Sequence, residues 1–221
     1  MKKFILSAIF LSLLSMASAQ GFRTFVDVFA GRTLFSSGKH ISVDNYEVFN
    51  IKEDLGFGLY VTEGYQITPQ WFAGVGVGGY TTMLGWTNAK GYPDYLYDDN
   101  SMRSIYLPVY ADVRWTLNIE KTITPFVDFK IGYQFGVDLG AGNMGWDYYN
   151  MTPGIGYKGT MLLQPGVGVR FGKDAAFNLG LSYNAIIGKK IIEWSATDIG
   201  QSREVSSINT GMLILTLGAD F

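Results

Sequence analysis

Cysteine is missing from all 221 residues, so the chain relies on no disulfide. There is a single histidine, His40, and without thiolates beside it a His/Cys metal centre has no ligand set. Charge is scarce too: 16% of residues are Asp, Glu, Lys or Arg, well below the usual quarter. A net charge of −2 gives neither nucleic acid nor anionic lipid an electrostatic landing site. Beyond residue 20 no apolar run reaches the length of a membrane-spanning helix. What the chain does have is glycine (28) and aromatics (15%), a composition that suits a membrane only as a closed sheet. No cofactor, metal or nucleic-acid partner is expected from this inventory.

The N-terminus reads as an export signal. Met1-Lys2-Lys3 supplies the basic start, Phe4 to Leu14 the short apolar stretch, and Ala17-Ser18-Ala19 the small-residue cleavage site. The expected division is a signal peptide over 1–19 and a single domain over 20–221.

The remainder falls into eight segments with period-two alternation, each with its charges on one parity. Between Pro125 and Leu139, Val127, Phe129, Ile131, Tyr133, Phe135, Val137 and Leu139 alternate with Asp128, Lys130, Gly132, Gln134, Gly136 and Asp138. Between Ile105 and Leu117, Leu107, Val109, Ala111, Val113 and Trp115 oppose Tyr106, Tyr110, Asp112 and Arg114. Val167, Val169 and Phe171 oppose Gln164, Gly166, Gly168 and Arg170, while Leu179, Leu181 and Tyr183 oppose Asn178, Gly180 and Ser182. At the C-terminus Leu213, Leu215, Leu217, Ala219 and Phe221 oppose Ile214, Thr216, Gly218 and Asp220. Three earlier segments, around Val28, Leu59 and Val75, follow the same rule with Asp27 on the polar side.

Two architectures use such strands. A soluble barrel turns the apolar face inward and meets water with Lys and Glu; a membrane barrel does the reverse. The polar face here is Gly, Tyr and isolated charges of both signs, and the apolar face is bulky, so the membrane form is expected. Connections agree. Short ones near Thr68-Pro69-Gln70, Asn118–Thr124 and Gly172–Ala175 alternate with long ones over about Gly31–Lys52, Gly85–Ser101, Gly140–Lys158 and Lys189–Ser206. Outward aromatics Trp71, Trp115, Phe171, Phe177 and Phe221 gather at the short-turn end as an interfacial girdle. The fold expected is an all-β, eight-stranded, antiparallel up-and-down transmembrane barrel with both termini on the periplasmic side.

The strand Leu107-Pro108-Val109-Tyr110-Ala111-Asp112-Val113-Arg114-Trp115, the strand Phe72-Ala73-Gly74-Val75-Gly76-Val77-Gly78 and the terminal Phe221 resemble the Bacteroidetes-type outer-membrane β-barrel domains, small barrels of the OmpA/OmpX kind. The resemblance covers the whole mature chain. It implies residence in the outer membrane of a Gram-negative bacterium, contact with lipid and lipopolysaccharide, and recognition of Phe221 by the barrel-assembly machinery. It is nearly silent about activity.

Asp27, Asp112, Arg114, Asp128, Lys130, Asp138 and Arg170 all take the lumen parity. Slipping every register by one residue would place them in lipid at a cost on the order of ten kcal/mol or more. An eight-strand bore is filled by side chains, so Arg114, Lys130 and Arg170 are expected to bridge the aspartates in a closed network. Glu63 falls on the lipid parity, close to the Thr68-Pro69 turn where the penalty is small. Pro108 and Pro165 lie inside strands, where bulges are expected to accommodate them.

No catalytic residue is assigned. Gly74 to Gly79 matches G-x-G-x-x-G, but no helix follows; glycines making room for Tyr60 and Tyr106 explain it better. His40 stands near Ser36, Ser37, Ser42 and Asp44, which leaves open a rim-located lipid-A acyl hydrolase or transferase. Tyr92, Asp94, Tyr95, Tyr97, Asp98 and Asp99, with Trp146, Asp147, Tyr148 and Tyr149, are candidate loop contacts for a glycan or protein surface. The role expected is structural or surface-interactive (envelope integrity or adhesion) for a monomer. A soluble β-barrel carrier is the other alternative.

Overall fold

The computed structural model describes residues 21–36, 39–43, 46–88, 102–118, 121–137, 152–173, 175–196 and 200–221; side chains are described over 21–34, 55–82, 105–118, 121–136, 160–173, 175–189 and 210–221. Every regular element among them is a strand: β1 (Phe22–Ser36), β2 (Lys39–Val43), β3 (Tyr46–Gln66), β4 (Trp71–Asn88), β5 (Met102–Thr116), β6 (Ile123–Val137), β7 (Thr152–Phe171), β8 (Ala176–Ala196) and β9 (Gly200–Asp220). From β3 to β9 each strand pairs antiparallel with the next in the chain, and β1 pairs with both β9 and β3, which closes eight strands into a barrel. The short β2 lies against the outer part of β3.

The closure is staggered. A circuit of paired residues leaves β1 at Phe25, passes Thr62, Gly76, Tyr110, Gly132, Leu162, Ile186 and Thr210, and returns to β1 at Ser36. That return lies eleven residues further along, one of them a bulge residue between Thr33 and Phe35. Such stagger tilts the strands and narrows the bore until side chains can fill it.

Facing follows the parity rule. Ile131, Leu179 and Leu215 are 41%, 42% and 54% exposed, whereas Asp128 and Arg170 are 6% and 2%. This polarity excludes the soluble carrier, because a belt of Val, Leu, Ile and Phe around the wall meets lipid favourably and water badly. Trp71 pairs across strands with Trp115, and Phe171 with Phe177, so the outward aromatics at the short-turn end sit side by side. Glu63 is half-buried on the outer face and accepts from Thr24 Oγ1 at 3.4 Å.

Three expectations need correction. First, the strands are longer than the roughly 9–11 residues a tilted crossing needs. They run to 21 residues in β3, β8 and β9, so most of Gly31–Lys52 and Lys189–Ser206 is strand rather than loop. Outside the lipid both faces of a strand are polar, and alternation no longer marks it. Second, neither proline makes a bulge. Beside Pro108 the β4–β5 ladder skips Gly78 and Gly79 and resumes in the same register; beside Pro165 the β7–β8 ladder does likewise. Each proline withholds one N–H from one neighbour, and the pairing on its other side (Gln134 for Pro108, Phe129 for Pro165) holds the frame. Third, the bulges that do occur, at Thr33/Phe35, Ile41/Ser42, Glu53/Gly56 and Lys158/Met161, all lie in the half of the wall away from the short turns.

Candidate functional site

The bore is the one region where chemistry-bearing side chains converge among the described residues, and it is built in layers. At the short-turn end, the fully buried Asp220 of β9 accepts from Arg23 Nη1 of β1 at 2.6 Å. From β7, Arg170 donates to it through Nε at 3.1 Å and places Nη2 3.0 Å away as an ion pair, and Asn178 of β8 adds Nδ2 at 3.4 Å. Arg170 also holds the following turn, donating to the carbonyls of Gly172 and Lys173 at 2.7 Å each. Gly172 has φ +122°, a conformation that glycine adopts at little cost and a residue with a Cβ does not.

Above this lies an aromatic floor. Phe25 and Phe72 meet edge to face at 4.8 Å, and the Arg114 guanidinium is sandwiched between the Phe25 ring at 4.1 Å and the Phe126 ring at 4.5 Å. In a water-poor interior such stacking is worth up to about 2 kcal/mol. Arg114 Nη2 stands 3.8 Å from both Asp27 and Asp128, and Lys130 reaches Asp112 at 3.6 Å and hydrogen-bonds Asp128. Two glycines make this possible: a Cβ on Gly218 would collide with Asp27, and one on Gly166 with Asp128.

The other half of the bore is closed by rings and aliphatic groups. Phe29 stacks on Tyr60 at 4.6 Å, Tyr80 on Tyr106 at 4.8 Å, and Tyr60 meets Tyr110 edge-on at 5.3 Å. Leu162, Ile186, Met212 and Ile214 complete the plug with at most 1% exposure. Two of the phenol groups are tied in, Tyr110 with Thr62 at 2.8 Å and Tyr80 to Gln134 at 2.7 Å. Four buried threonines, Thr33, Thr82, Thr160 and Thr210, ring the bore beyond the plug.

Of the seven lumen charges expected, five (Asp27, Asp112, Arg114, Asp128, Lys130) form one cluster. Arg170 departs from the expectation: its partner is Asp220, nearer the turn, because the last inward position of β7 lies below the cluster. Asp138 lies outside the described residues. Sequence reasoning passed over Asp220 and Arg23, although inward parity at the ends of β9 and β1 marks both. Ile214, Tyr106 and Tyr110 took the inward parity as expected, but Leu162, Ile186 and Met212 were passed over, because they have apolar neighbours in sequence and break the alternation. The glycine partners agree in part: Gly78 clears Tyr60 as expected, while the nearest neighbour of Gly76 is Tyr110 rather than Tyr106. Trp71, Trp115, Phe171, Phe177 and Phe221 all lie on the outer face. The loop candidates Tyr92, Asp94, Tyr95, Tyr97, Asp98, Asp99, Trp146, Asp147, Tyr148 and Tyr149 lie outside the described residues. So does the side chain of His40, whose backbone belongs to β2. Among the described residues no three His, Cys, Asp or Glu side chains are arranged to hold a metal ion.

The two charge groups balance. Asp27, Asp112, Asp128 and Asp220 face Arg114, Lys130, Arg170 and Arg23, four against four. The cluster alone carries one excess negative charge and the turn-end group one excess positive charge. Such a bore braces its wall and obstructs passage.

The overall shape matches solved structures across nearly the whole chain. The outer membrane protein OprG of Pseudomonas aeruginosa superposes with a TM-score of 0.61 at 14% identity, covering 91% of this chain and 96% of that one. The fold is that of the small outer-membrane barrels. The outer membrane protein AlkL, determined in lipid bilayers, gives 0.53 at 16% identity over 91% and 90% of the two chains. Neisserial surface protein A gives 0.49 at 15% identity over 91% and 98%. No family model matches the chain, and no curated protein matches it in sequence. With a lipid-facing belt on a barrel of this fold, the protein resides in the outer membrane of a Gram-negative bacterium.

Proposed function

We propose that this barrel serves a structural and surface-interactive role, with a bore sealed by its own side chains and external connections that meet glycan or protein ligands. The observation that carries the reading is the double occlusion of the bore. An aromatic floor and charge cluster fill one half, and a ring-and-aliphatic plug fills the other. A transport pore would need neither. In this reading the protein works as a monomer in contact with lipopolysaccharide, without enzymatic activity. Phe221, exposed at the end of β9, serves as the signal read by the barrel-assembly machinery.

Purified protein fused into planar bilayers is expected to give no large, steady conductance; a stable open level would overturn the sealed-bore reading. The surface role is tested with the intact protein against variants trimmed at 92–99 and 146–149, using glycan and matrix-protein binding as the readout. Loss of binding on trimming is expected, and unchanged binding would remove those residues from the proposal. His40→Ala is expected to leave lipid A unaltered by mass spectrometry. A change in acylation would favour the rim enzyme instead.

A further inference from the structure

The last step in building a barrel is pairing its first strand with its last, and the lipid face offers no guide to the register of that seam. Outward, Val26, Val28 and Ala30 of β1 oppose Ala219, Leu217 and Leu215 of β9. Slide β1 by two residues and Val28 opposes Ala219 or Leu215 instead: apolar meets apolar, and no side chain changes face. The lumen face is different. Its pairs are Phe25 with Asp220, Asp27 with Gly218, Phe29 with Thr216, Gly31 with Ile214 and Thr33 with Met212.

Two of those pairs, Asp27 with Gly218 and Gly31 with Ile214, set a charged or bulky group against a glycine that makes room for it. Thr24 and Phe221 exchange both backbone hydrogen bonds, at 3.2 and 3.1 Å, so the inward pairs one step away are the closely approaching, non-hydrogen-bonded kind. A Cβ at 218 would run into Asp27, and one at 31 would meet Met212 Sδ at 2.8 Å and Ile214 Cγ1 at 2.9 Å. Sliding one way sets Asp27 directly against Asp220. Sliding the other way sets Asp27 on the branched Thr216 and Phe29 on Ile214. The ion pair from Arg23 to Asp220 also spans this seam, joining residues near the two ends of the chain.

We infer that the lumen-facing pairs Asp27–Gly218 and Gly31–Ile214, with Asp220, form a register lock that selects the one closure of β1 on β9 and thereby the stagger of the whole barrel. The absence of cysteine makes this directly measurable. Val28→Cys is combined with Leu217→Cys, the native partner, or with Ala219→Cys or Leu215→Cys, the slipped ones. Directly paired residues bring their Cα atoms within disulfide reach, and a two-residue slip takes them beyond about 7 Å.

In the otherwise unaltered chain, folded in lipid and oxidised, only the 28–217 bond is expected. Gly218→Ala is expected to raise the slipped products about tenfold, the ratio that about 1.4 kcal/mol of preference sustains. The exchange Asp27→Gly with Gly218→Asp, which keeps one carboxylate and one glycine at the same pair, is expected to restore the native bond. Asp220→Asn, which removes the like-charge clash, is expected to raise the 28–219 product and covers the case in which Gly218→Ala does not fold. Slipped bonds in the unaltered chain would overturn the lock, as would exclusive 28–217 bonding in both Gly218→Ala and Asp220→Asn.

Discussion

The two halves of the bore fill the same cylinder by opposite means. Toward the short turns, space is taken by charge: Arg114 between two phenylalanine rings, three aspartates and Lys130 around it, and glycines wherever a carboxylate needs room. Toward the outer side it is taken by stacked rings, Leu162, Ile186, Met212 and Ile214. A charge cluster is intolerant of single losses, because every deleted partner strands a buried charge in a medium that cannot solvate it. The apolar plug loses only the contacts and volume of the group removed. One half is a network and the other a packing problem.

That contrast sets an order of expected effects. Arg114→Met, which keeps bulk but leaves Asp27 and Asp128 short of a cation, should cost about 3–5 kcal/mol in urea unfolding of the lipid-reconstituted protein. Asp128→Asn in addition should recover part of that loss; two independent, additive penalties would contradict the network view. Ile214→Ala in the plug should cost about 2–4 kcal/mol, and Ile214→Val much less. Gly166→Ala should cost about 1–3 kcal/mol by driving a methyl group into Asp128, whereas Gly180→Ala, whose added carbon meets nothing closer than 3.6 Å, should lie within about 0.5 kcal/mol of neutral. If the two alanines behave alike, the glycines are not shaped to the carboxylates. Arg23→Gln should have the smallest effect, about 1 kcal/mol, since Asp220 keeps Arg170 as its cation and the glutamine amide can still donate to it.

The same contrast governs what could be read without coordinates. Charge is expensive in lipid, so its parity betrayed the inside of the wall from Asp27 to Arg170. Aliphatic residues carry no such penalty on either face. Met212-Leu213 and Ile186-Ile187 therefore look alike whether they point to lipid or to the plug, and the aliphatic part of the bore was hidden apart from Ile214. Asp220 stood on the correct face, yet its partners come from three other strands, and only the stagger of the closed sheet brings Arg23, Arg170 and Asn178 to it. The long wall was missed for a related reason: above the bilayer neither face has a reason to be greasy.

The 21 residues of β8 extend roughly 70 Å along the strand, or about 50 Å of height at the usual tilt, against a hydrocarbon band of about 25 Å. Roughly half of that wall therefore lies outside the hydrocarbon band, in the headgroup zones and beyond. A ladder of backbone hydrogen bonds thus continues past the greasy girdle, so the sheet itself, and not only its crossing segment, shapes the outward end of the molecule.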